Sequence, residues 1–78
     1  MNLSELSPFT PAVIDDVENA SGDDPIAKRL RELGFVNGEP VRIVARGPLG
    51  ADPLLVQIGF TRFALRRAEA QRVRIHLA

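Results

Sequence analysis

Leu30–Gly38 reads L-R-E-L-G-F-V-N-G, and Gly47–Leu65 reads G-P-L-G-A-D-P-L-L-V-Q-I-G-F-T-R-F-A-L. The first stretch ends a helix on a glycine. The second sets a Pro/Gly-rich loop ahead of two strands of alternating polarity. No nucleophile arrangement, metal-ligand cluster or phosphate-binding glycine loop accompanies them. The pattern predicts a small β-barrel that works by touching another macromolecule, not an enzyme.

Upstream, Leu3–Leu6 is too short to assign, and Ser7–Pro11 (S-P-F-T-P) is a turn-rich lead-in. Ala12–Glu18, with Val13, Ile14 and Val17, reads as a first strand. Asp24 can cap a helix that starts at Pro25, where a missing N–H costs nothing. Ile26, Ala27, Leu30 and Leu33 fall on one face at helical spacing, and Gly34 stands where the helix should stop. Pro40–Arg46 then alternates, with Val41, Ile43 and Ala45 on one side and Arg42, Val44 and Arg46 on the other.

Gly47–Pro53 is assigned to a loop, Leu54–Ile58 and Thr61–Arg66 to strands around a tight Gly59-Phe60 turn, and Arg67–Gln71 to one helical turn. Val73, Ile75 and Leu77 mark a last strand. The whole chain, 1–78, is expected to be a single, mainly β domain. Closing such a sheet into a barrel would remove the exposed edges that invite aggregation.

Bulk properties set limits. The 78 residues are 45% apolar, enough for a compact core without staples. The lack of cysteine removes disulfides, thiolate metal sites and cysteine catalysis together. The longest uninterrupted run of large aliphatic residues is Leu54–Val56, far short of the ~20 residues of a membrane helix. No leader-like segment opens the sequence. The expectation is a cytoplasmic chain without direct membrane insertion.

The net charge is zero but segregated. Residues 1–25 hold six acids and no base, and the rest hold ten bases, nine of them arginine, against four acids. This asymmetry is read as a feature for steering partners.

Three stretches together carry a family resemblance: Arg29–Val41 (R-L-R-E-L-G-F-V-N-G-E-P-V), Arg46–Pro53 (R-G-P-L-G-A-D-P) and Gly59–Arg67 (G-F-T-R-F-A-L-R-R). The chain resembles the ferrous iron transport protein A (FeoA) family. The resemblance implies an SH3-like β-barrel of about five strands, with one α-helix between the first and second and a short helical turn before the last. It also implies a cytosolic, non-catalytic accessory to the ferrous iron permease, a membrane protein with a cytosolic G-protein domain. Docking there would influence assembly or GTP-dependent uptake, with recruitment to the inner face of the membrane. Two departures stand out. S-P-F-T-P replaces a glycine-containing turn before the first strand, and Ala51 lengthens the P-L-G-D-P loop by one residue.

Candidate contact residues follow from exposure expected at turns. Arg46, Pro48, Leu49, Phe60 and Arg62 are the partner-binding candidates, with Leu49 either tucked under its loop or projecting as an anchor. Arg46 and Arg62 are also the candidates for an arginine acting in trans on a G domain. Self-association through this region is open.

His76 is expected to face solvent, and with no cysteine and one histidine neither a metal site nor a cofactor is expected. Asp15, Asp16, Glu18 and Asp23 read as solvated charge. Arg42, Arg46, Arg62, Arg66, Arg67, Arg72 and Arg74 read as barrel exterior or as a basic face. A nucleic-acid-binding barrel is the alternative, weakened by having only Phe9, Phe35, Phe60 and Phe63 as aromatics. A stand-alone domain similar to the C-terminal domain of iron-dependent repressors is a further one.

Overall fold

The computed structural model describes residues 1–49 and 52–78. Its elements are a 3-10 turn (Leu3–Glu5), β1 (Ala12–Val17), α1 (Pro25–Leu33), β2 (Pro40–Leu49), β3 (Asp52–Ile58), β4 (Thr61–Leu65), α2 (Arg67–Ala70) and β5 (Val73–Leu77). The strands form one antiparallel sheet in the order β4-β3-β2-β1-β5. Among the described residues β4 and β5 are not hydrogen-bonded to each other, so the sheet keeps two edges.

α1 forms as its sequence requires. The Asp24 carboxylate accepts from the N–H groups of Ile26 (3.1 Å) and Ala27 (3.3 Å), and Gly34 ends the helix with φ +113°. Ala27 and Leu30 are buried, but Ile26 and Leu33 are each 38% exposed. The apolar stripe of α1 is therefore wider than the surface it covers.

The core gathers around Phe35, which is fully buried and meets the Phe63 ring at 5.5 Å between centroids. Ile14, Ile43, Val56 and Val73 line it from the sheet. The unassigned N-terminal segment closes it, because Leu3 and Leu6 are buried beneath the 3-10 turn. Asn2 caps that turn, accepting from Ser4 N–H at 3.0 Å while Glu5 accepts from Asn2 N–H at 2.8 Å.

Three expectations need correction. First, β2 and β3 run through most of the stretch assigned to a loop, pairing Leu49 with Asp52. Gly47 permits this, since a Cβ there would meet the Asp52 carbonyl carbon at 2.6 Å. The question of Ala51 lies outside the described residues.

Second, β2 does not keep one face inward. Ile43 pairs with Val56 and Ala45 with Leu55, so Val44 is an extra residue. Beyond this bulge Ala45 turns outward and Arg46 comes to lie beside buried Leu54. Third, β1 ends at Val17, one residue early, although Glu18 N–H still bonds the Arg72 carbonyl at 2.8 Å.

The S-P-F-T-P lead-in has a simple resolution. Phe9 adopts the left-handed conformation itself (φ +63°), taking the backbone role a glycine would have, and its N–H bonds the Ile43 carbonyl at 2.8 Å.

Candidate partner-binding face

Among the described residues the β3–β4 turn carries the most exposed large apolar side chain. Ile58 pairs with Thr61, leaving Gly59 and Phe60 as a two-residue hairpin loop. Gly59 has φ +57° and Phe60 does not, the pattern of a turn with glycine at its first central position. The Phe60 ring is fully exposed at the tip. Beside it, Arg62 is exposed and donates from Nε to Gln57 Oε1 at 3.3 Å, and Gln57 Nε2 donates to the Gly59 carbonyl at 3.0 Å. Phe60 and Arg62 are thus exposed on and beside one hydrogen-bonded hairpin turn.

The other candidates lie elsewhere. Leu49 pairs with Asp52 at the far end of β3, about 20 Å along the strand from the Phe60 turn. Pro48 is exposed at that end. Whether the Leu49 side chain tucks or projects lies outside what is described. Arg46 is half-buried, and its Nη2 donates to the Leu6 carbonyl. Its guanidinium helps tie the N-terminal segment to the sheet. The five residues therefore form two groups at opposite ends of β3.

The segregated charges of the sequence meet in the fold, because β1 pairs with β5. Arg74 contacts Glu18 at 2.6 Å and Asp16 at 3.9 Å, and His76 Nδ1 lies 2.6 Å from Asp15 Oδ1. The Glu18 carboxylate, followed by Asp16, holds the Arg74 guanidinium more firmly protonated than usual.

Arg72 does not sit on the exterior. Its Nε donates to Asp24 Oδ2 at 2.7 Å, with side chains only 16% and 6% exposed. That bond, then the Ala20 N–H at 2.8 Å and the Ala27 N–H, lower the Asp24 carboxyl to about 2 against desolvation. Much of what reads in sequence as steering charge is thus spent inside the molecule. No three His, Cys, Asp or Glu side chains are arranged to hold a metal ion among the described residues.

Sequence reasoning missed the free edge of β4 and the exposed half of α1 beside it. The only signal was an apolar stripe on α1 one residue too broad at each end.

The FeoA domain model matches residues 1–77. The chain belongs to the FeoA family. The FeoA protein of Stenotrophomonas maltophilia, solved with zinc and described as an SH3 domain protein, is 60% identical. It covers 97% of this chain and 89% of its own, with a TM-score of 0.91. Iron(II) transport protein A of Clostridium thermocellum is 38% identical over 99% of this chain and 45% of its own, with a TM-score of 0.84. An Fe(2+) transport protein A/Fe(2+) transporter FeoB fusion protein of Porphyromonas gingivalis is 38% identical over 77 residues. The chain spans 9% of the length of that curated relative. The SH3-like, mainly β architecture expected from sequence is the one observed. No helix among the described residues is long and apolar enough to cross a membrane.

Proposed function

We propose that this chain is an accessory domain of ferrous iron uptake that docks on the cytosolic part of the membrane permease for Fe²⁺. The observation that carries this is the fused relative, in which a region 38% identical to nearly the whole chain shares one polypeptide with an iron transporter. Fusion holds two domains at high effective concentration, which benefits partners that act together. The docking residues are Phe60 and Arg62, an exposed aromatic beside an exposed arginine, a pairing enriched where proteins meet. Pro48 and Leu49 are a second, separate contact. The target is the permease's G-protein domain, and the effect is on assembly or GTP-dependent transport, with the chain in the cytoplasm at the membrane's inner face.

Nucleic acid binding has less support. Arg72 and Arg74 are engaged by carboxylates, so no continuous basic stripe runs over β5.

Titrating the ¹⁵N-labelled chain with the isolated G domain at physiological salt tests the proposal. Shifts clustered on Phe60 and Arg62 are the expected result. A spectrum unchanged at saturating G domain rejects docking on that domain.

A further inference from the structure

The two edges of the sheet are not equivalent. The β5 edge is covered: Ile75 N–H bonds the Met1 carbonyl at 2.9 Å, and Asn2 forms a bridge to Arg74. No such cover lies on β4 among the described residues. The Ile58–Thr61 pair closes the hairpin, so Thr61, Phe63 and Leu65 turn their N–H and C=O groups toward β3. By the same alternation Arg62 and Ala64 turn theirs away from it.

α1 stands off from this edge, leaving a groove of about 450 Å³ whose apolar wall is Ile26, Leu30, Leu33, Phe63 and Leu65. Arg29 is exposed in its lining, and Arg62 and Arg66 are exposed on the opposite face of the β4 edge. The carboxylate in the lining, Glu69, accepts the Arg66 N–H at 2.7 Å.

We infer that the β4 edge receives an extended segment of a partner protein in which acidic and apolar residues alternate. The backbone of the incoming strand would bond Arg62 and Ala64. A residue opposite Phe63 would point its side chain into the groove, toward Ile26 and Leu33. Its neighbours on either side would lie on the face of Arg62 and Arg66, where carboxylates match the charge. A second copy of this chain fits less well. Antiparallel pairing centred on Phe63 would bring the two Arg62 side chains to one face as diagonal neighbours, with Arg66 of each copy beside them. The inference deepens the docking reading by giving the partner's local chemistry. Its test contains no permease, so the two stand or fall separately.

The probe is a capped eight-residue peptide of alternating glutamate and valine, with the lysine–valine analogue as control. Titrated into the ¹⁵N-labelled chain, the acidic peptide is expected to shift Arg62 and Ala64 and to slow exchange of their amide hydrogens. Ala64→Pro removes one outward N–H at an edge position that tolerates proline, and is expected to weaken binding about ten-fold. Arg62→Glu, which leaves the backbone intact, should weaken it similarly by reversing the charge. Equal binding of the lysine peptide overturns the inference, as does a response confined to other residues or none at all. Concentration-dependent shifts at Arg62 and Ala64 without peptide would assign the edge to a second copy and overturn it too.

Discussion

At the β5 edge the chain covers itself with its own N-terminal segment, while at the β4 edge Arg62 and Ala64 face outward beside an open apolar groove. Arginine serves both edges in opposite ways. On and next to β5, Arg72 and Arg74 meet the acids of residues 16–24, and the partly buried Asp24–Arg72 contact ties the start of α1 to the strand. On β4, Arg62 meets only the neutral Gln57 among the described residues and stays on the surface. The lesson is that charge has to be counted after strand pairing. Among the described residues the β4 side keeps arginines without a carboxylate partner beside apolar surface, a combination a partner can use.

The largest test of this contrast is Leu3→Ala at the covered edge. It empties a fully buried site and is expected to cost about 2–5 kcal/mol in urea denaturation. Ile26→Ala, beside the open groove, is expected to cost under about 1 kcal/mol because its side chain is already partly solvated. Equal losses would break the comparison.

Gly47→Ala comes next, at about 1–3 kcal/mol, since the added methyl group has to displace the Asp52 backbone in the ribbon that supports β4. A loss within experimental scatter would show that the ribbon yields there.

Asp24→Asn tests the β5 side through pH. The folded carboxyl lies at about 2 against an ordinary 3.8, so its stabilisation is fully present above about 3.8 and lost as pH falls through about 2. The gap in denaturation midpoint between wild type and variant should be constant from neutral pH to about 5 and close toward pH 2. A gap that widens on acidification has the wrong sign for this arrangement.

The smallest effects separate the exposed arginines. Arg74→Ala should lower stability slightly, and added salt should shrink that loss, because its pairs with Glu18 and Asp16 are exposed. Arg62→Ala should leave stability within about 0.5 kcal/mol while weakening partner binding. If Arg62 proved the more stabilising of the two, the division between spent and displayed charge would be lost.

α1 could be read from end to end because its signals are local: Asp24, Pro25 and Gly34 act on neighbouring backbone groups. The Gly59-Phe60 turn could be read for the same reason. The inward face of β2 beyond Ile43 could not, because a single extra residue flips the phase and the bulge is defined only against β3. Gly47 looks like a loop glycine until the backbone of Asp52 is beside it. Leu3 and Leu6 sit in a segment too short for any period, and only the sheet above them shows that they are core. Of the candidate residues, the exposure of Phe60 and Arg62 was legible from the turn, but the distance separating them from Leu49 required the length of β3.

The sequence alone determined the order and kind of the elements from β1 onward, the family and the absence of cysteine chemistry, since these rest on local propensity, caps and composition. Tertiary structure alone decided which charges cancel, which sheet edge is left bare and which half of the α1 stripe is covered. Those depend on contacts between residues far apart in the chain, with Asp24 and Arg72 forty-eight positions apart, and no local pattern encodes them.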